Sequence, residues 1–289
     1  MHALLQTAIA HHEANRLDEA ARLYRAVLAA DPVQADAHNN LALVLQQRGN
    51  VEEAVAHFEA ALESKPLWPT PYLNLGQLLR DRGRWYEALA VYREGARLCP
   101  AAPALRDALG QLLLQLGQAD EAVLQCQEAV RLGPGQPAAL VNLGNALSAL
   151  GRRDEARACH LQAAQLGPGL ALPRARLGRL LQEQGQLDEA LAWLQQAIQL
   201  EPAEPTFHCD LAGVLYDLER PDEAVASFRE ALRLRPGYPE ALNYLGYVLQ
   251  DQGDMREALA AYDAAVAARP DYADAFLNRG LLLSETGEM

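Results

Sequence analysis

Apolar residues fall at helical spacing along the whole chain. In residues 35–68, Leu41 and Leu45 stand at i and i+4, and Ala54, Phe58, Ala61 and Leu62 at i, i+4, i+7 and i+8. That is the period of an α-helix, not the alternation of a strand. The pattern predicts two helices, and it returns at a fixed step of 34: Pro32, Pro66, Pro100, Pro134, Pro168, Pro202, Pro236 and Pro270 keep it. Ala20, Ala54, Ala88, Ala122, Ala156, Ala190, Ala224 and Ala258 keep the same step, as does leucine from Leu45 to Leu283. A period of this length means stacked copies of one supersecondary unit, each contacting only its neighbours.

Numbering each repeat so that the recurrent proline is position 32 places repeats at 1–34, 35–68, 69–102, 103–136, 137–170, 171–204, 205–238 and 239–272, with a half repeat at 273–289. One solenoid over 1–289 is expected. Pro69, Pro103, Pro137, Pro205 and Pro239 open first helices, where a missing N–H costs nothing. Gly49, Gly83, Gly117, Gly151, Gly185, Gly253 and Gly287 mark the turn between helices, because glycine takes the left-handed conformation that ends a helix. The repeat at 205–238 carries Glu219 there, followed by Arg220 and Pro221, so its turn is expected to be built differently. Acid pairs such as Asp18-Glu19 and Asp120-Glu121 open second helices and complement the helix dipole. Position 8 is always Gly or Ala and position 20 always Ala, which lets the paired helices approach closely.

Composition changes this picture little. Half the residues are apolar and Ala and Leu dominate, enough for a continuous core. A net charge of −13 argues against a nucleic-acid partner, which needs a basic stripe. The N-terminus shows no signal peptide, and no run approaches the ~18 apolar residues of a membrane span. Cys99, Cys126, Cys159 and Cys209 lie in no metal-ligand spacing and read as reduced thiols, with a cytoplasmic location expected. No cofactor is expected.

With Leu-Gly/Ala at positions 7–8, Leu at 11, Gly at 15, Ala at 20 and 27, an aromatic at 24 and Pro at 32, the chain resembles the tetratricopeptide repeat family over nearly its whole length. It departs at position 4, which holds His38, Tyr72, Arg106, Leu140, Arg174, His208, Leu242 and Phe276 instead of tryptophan. Position 24 is Cys126, His160 and Leu194 in the middle repeats, which are expected to be the less tightly packed. The resemblance implies an all-α, right-handed superhelical solenoid of antiparallel helix pairs. It also implies a protein or peptide bound in a concave groove lined by positions 2, 5, 6, 9, 12 and 13 of the first helices.

Three groups stand out at those positions. Asn40, Asn74, Asn142 and Asn278 share position 6, and a row of amides can pair with the main chain of an extended peptide; asparagine there can equally be the family's commonest residue. This partial row is similar to the asparagine ladder of O-linked N-acetylglucosamine transferases, but Ala108, Arg176, Asp210 and Tyr244 interrupt it. Arg176 and Arg179, with Arg174 nearby, form a cationic spot that can hold a carboxylate or phosphate or simply be solvated. The chaperone-tail clamp of some relatives is not reproduced: Asn142 and Arg176 fit it, but Asp107, Gln111 and Leu172 do not. Tyr216, Tyr244 and Tyr247 stand beside Asp210, Asp217, Glu240 and Asp251, a set suited to a Pro-rich or Arg/Lys-bearing peptide or to packing between helices.

Catalysis is not expected. His11-His12 and His208-Cys209-Asp210 are the suggestive clusters, yet neighbours on one helix do not face each other, so the second cannot act as a triad from one helix alone. The expected function is therefore a binding scaffold. The ending just past a first helix also fits the substrate-recruiting part of a longer enzyme such as a glycosyltransferase, or an uncapped end that associates with another copy.

Overall fold

The computed structural model describes residues 2–286. Two compact units divide the chain, residues 1–151 and 152–289; the boundary falls at the turn inside the 137–170 repeat. The N-terminal unit holds α1 (His2–Glu13), α2 (Leu17–Ala30), α3 (Ala35–Gln47), α4 (Val51–Ser64), α5 (Pro69–Asp81), α6 (Trp85–Leu98), α7 (Pro103–Gln115), α8 (Ala119–Leu132) and α9 (Pro137–Ala149). The C-terminal unit holds α10 (Arg153–Leu166), α11 (Leu172–Glu183), α12 (Leu187–Leu200), α13 (Pro205–Asp217), α14 (Pro221–Leu234), α15 (Pro239–Asp251), α16 (Met255–Ala268) and α17 (Ala273–Thr286). The fold is all-α, built of repeated helix pairs.

The predicted turns form by one mechanism. Gly49, Gly83, Gly117, Gly151, Gly185 and Gly253 take φ between 71° and 88°, and in the turns after Gly49, Gly83, Gly117, Gly185 and Gly253 the next N–H bonds back to the first helix, as in Arg84 N to Leu79 O at 2.9 Å. Gly287 lies outside the described residues. The turn carrying Glu219 is not built differently. Glu219 adopts φ 59°, and the Arg220 N–H reaches Leu215 O at 3.0 Å. The repeat geometry overrides local preference there, at a cost of about 1–2 kcal/mol for a residue with a Cβ in that conformation.

Close approach of paired helices follows from the small residues. A Cβ on Gly76 would lie 2.2 Å from the Tyr92 ring, one on Gly178 2.5 Å from Leu194, and one on Gly110 2.4 Å from the Cys126 sulfur. Ala20 and its equivalents at 54, 88, 122, 156, 190, 224 and 258 are all fully buried. Cys126, His160 and Leu194 are as buried as the tyrosines and phenylalanines that replace them elsewhere. The looser packing expected of the middle repeats does not appear at this position, and Gly110 and Gly178 close down on Cys126 and Leu194.

Within each unit, neighbouring first helices approach to 8 Å or less between Cα atoms: α1–α3, α3–α5, α5–α7 and α7–α9 in one, α11–α13, α13–α15 and α15–α17 in the other. Among the described residues no two second helices of one unit do so. They are joined at longer reach by side chains, Arg25 to Glu53 at 2.7 Å, Arg93 to Glu121 at 2.7 Å and Arg229 to Glu257 at 2.8 Å. Such exposed pairs add about 0–1 kcal/mol each. First helices therefore crowd one side of each unit and second helices spread over the other.

Candidate partner-binding surface

Three successive first helices of the C-terminal unit, α11, α13 and α15, enclose a cavity of ≈520 Å³. Its size falls within the range of ligand pockets, about 300–1,000 Å³. Arg179 and Gln182 enter from α11, Asp210, Tyr216 and Asp217 from α13, and Glu240, Tyr244 and Tyr247 from α15. Gly213 on α13 supplies no side chain, and its missing Cβ would meet nothing nearer than the Gln182 amide at 3.2 Å. The depression exists because position 9, filled by Arg179 and Tyr247 in the flanking repeats, is empty in this one.

The aromatic wall has defined geometry. Tyr216 and Tyr247 meet edge to face with centroids 5.7 Å apart, and Phe228 and Tyr244 stack at 6.3 Å and 13°. Tyr216 donates its hydroxyl to Asp251 at 3.3 Å. Tyr244 and Tyr247 are 52% and 49% exposed, so half of each ring remains open to a ligand.

Arg176 and Arg179 stand beside an acid, and the Arg176 Nε is buried without a hydrogen-bond partner. Arg179 lies 3.8 Å from Asp210, and Arg174 bonds its own helix entry, donating to Leu170 O at 2.6 Å. Burial, then the charge of Arg179, pushes the Arg176 guanidinium down, and Asp210 opposes that. Burial raises the Asp210 carboxyl to about 6, with Arg179 and Arg176 pulling the other way. The arginine and tyrosine groups, separate in sequence, thus converge on one cavity through Arg179 and Asp210. Phe228, Tyr238 and Gly213 complete it. Gly213 occupies a groove position, and its glycine was the available signal. Phe228 and Tyr238 read as core and loop residues.

The position-6 asparagines are placed otherwise. Three donate their amides back to position 5 of the preceding repeat: Asn74 to Asn39 at 3.0 Å, Asn142 to Asp107 at 2.8 and 3.0 Å, and Asn278 to Asn243 at 3.0 Å. Asn40 accepts from Asn39 at 3.2 Å. The amides staple adjacent first helices, leaving the Asn74, Asn142 and Asn278 carbonyls as the groups to offer a ligand. The Asp107 carboxyl is raised by burial and held back by its bonds from Asn142 and Gln111. Asn142→Ala should therefore destabilise the fold at pH 7 by about 0.5–1.5 kcal/mol, the net worth of a hydrogen bond to a half-buried carboxylate that Gln111 still holds. Urea unfolding measures this, and an unchanged midpoint would show that the staple contributes nothing.

His208, Cys209 and Asp210 do not act together. His208 Nε2 lies 2.8 Å from Pro202 O, and burial drives the Cys209 thiol up to about 12, far from a reactive thiolate. Among the described residues no cluster of three or more metal-ligating side chains occurs, and no helix is long and apolar enough to cross a membrane.

Models of the tetratricopeptide repeat match residues 5–70 and 175–239, 69–112 and 103–146, 135–201, and 215–280. No curated protein matches the sequence. Among solved structures, the chain is similar to one in the APC/C hetero-tetramer Cut9–Hcn1, with TM-score 0.71, 17% identity and 97% of this chain covered. Yeast Tom70 gives 0.66, 18% and 94%. A tetratricopeptide repeat protein from Parabacteroides merdae gives 0.72, 16% and 86%, with 98% of that chain covered. The present chain spans 55% of the first of these structures and 59% of the second. Identities this low report the shared fold.

Proposed function

This chain belongs to the tetratricopeptide repeat family, and we propose that it is a non-catalytic scaffold whose first-helix surface holds an extended or helical segment of a partner protein. The observation that carries this reading is the cavity between α11, α13 and α15, where half-open tyrosines and carboxylates meet over a glycine floor. Repeated core positions build the helix stack. The positions facing this cavity differ from repeat to repeat, as a surface fitted to one partner requires. Aromatic residues in a concave site are the usual anchors of such contacts.

A peptide selected from a random display library against the full chain tests the proposal. Gly213→Leu, which fills the floor once the Gln182 amide 3.2 Å from its Cβ gives way, should reduce its affinity at least about tenfold, since a blocked anchor pocket costs 1.4 kcal/mol or more. Arg256→Ala, on the exposed side of α16, should leave affinity unchanged. The reverse pattern would remove the first-helix surface from the reading.

A further inference from the structure

Asp210, Asp217 and Glu240 line the cavity against a single cation, Arg179. Two of these carboxylates are already engaged. Glu240 takes the Arg269 guanidinium at 2.5 Å, and Asp217 accepts from the Gln182 amide at 2.7 Å. Asp210 has only Arg179, at 3.8 Å, beyond hydrogen-bond distance, so its acceptor capacity is largely unspent. The half-exposed rings of Tyr244 and Tyr247 line the same cavity. On the same wall the chain displays the chemistry such a place favours: the Arg235 guanidinium lies 3.6 Å from the centre of the Tyr238 ring, and Tyr238 lines the cavity.

We infer that this cavity takes one arginine side chain of the partner segment, its guanidinium bonded to Asp210 and its plane laid on Tyr244 or Tyr247. This deepens the scaffold reading and rests on it. A guanidinium suits the site better than an ammonium ion because it stacks on aromatic rings, carries its donors in a planar fork and is more weakly hydrated. A phosphate or carboxylate ligand would meet three acids. Around Asp210 stand Arg176 and Arg179 from α11, Tyr238 and Glu240 from the α15 side, and Cys209 beside it on α13. Burial raises the Asp210 carboxyl to about 6. An entering cation favours the ionised form, so affinity should rise with pH through that region and fall below it.

The test is an NMR titration of the full chain with N-acetyl-arginine methylamide and with its neutral citrulline analogue, matched in shape. At pH 7.5 the arginine compound should bind about tenfold tighter, the order expected of a partly desolvated cation–π and ion-pair contact. That preference should vanish at pH 5 and in Asp210→Asn, and Gly213→Leu should abolish the shifts at Tyr244 and Tyr247. Equal affinity for the two compounds overturns the inference. So does a preference that survives Asp210→Asn, or inorganic phosphate binding at the same tyrosines as tightly as arginine. Failure here, while Gly213→Leu still weakens the selected peptide, leaves the scaffold reading standing.

Discussion

Between pH 7.5 and pH 4.5 the wild-type protein should lose about 2.5 kcal/mol of stability relative to His160→Leu. His160 is 1% exposed, and its Nδ1 is buried without a partner. Burial first, and the Arg176 charge second, lower its pKa from 6.5 to about 4. The folded state thus excludes a proton that the unfolded chain accepts. Stability is intact above pH 6.5 and declines as pH falls toward 4, where the loss levels off at about 3 kcal/mol. Leucine is a fair replacement because Leu194 fills the same place one repeat later and is fully buried. It removes both the titrating group and the unpaired nitrogen, so the variant should also be no less stable at pH 7.5. Urea unfolding of both proteins at the two pH values reads the difference. Parallel losses would mean that the imidazole is not held neutral.

Gly76→Ala should destabilise the fold by about 1–3 kcal/mol although alanine is the better helix former. Helix propensity alone favours alanine by about 1 kcal/mol. The added methyl would lie 2.2 Å from Cε1 and 2.5 Å from Cζ of Tyr92, a ring 1% exposed and unable to swing away. Overpacking of this kind costs about 1–3 kcal/mol and occasionally more. The same substitution at Gly280 provides the contrast. Gly280 holds the same place in its repeat, yet a Cβ there meets nothing within 4 Å. Gly280→Ala should therefore raise the melting temperature where Gly76→Ala lowers it. Equal effects at the two sites would show that glycine at position 8 has no packing role.

The helix pairs, their turns and their buried small residues were legible in the sequence because repetition multiplies a weak signal. Eight alanines at one position say more about packing than any single alanine. Glu219 shows the limit. Its left-handed conformation is imposed by neighbouring repeats, and a residue that resists a conformation cannot announce that it will adopt it. The site was legible in part. Tyr216, Tyr244, Tyr247, Asp210 and Asp217 were visible by position on the first helices. The pairing of Arg179 with Asp210 was not, since it joins different repeats and depends on how far their helices stand apart. The hydrogen bonds of the asparagine amides were not legible for a related reason. An amide at a surface position looks available until the residue 35 places earlier is seen to accept its proton.

Hydroxyl-radical footprinting with the display-selected peptide tests most directly whether the first helices carry the binding surface. Tyr244 and Tyr247 on α15 and Met255 at the start of α16 are all exposed, at 52%, 49% and 38%, so each reports its own side of the C-terminal unit. Saturating peptide should slow oxidation of both tyrosines and leave Met255 reacting at its free rate. Protection of Met255 with both tyrosines unchanged would place the partner on the second helices and contradict the account.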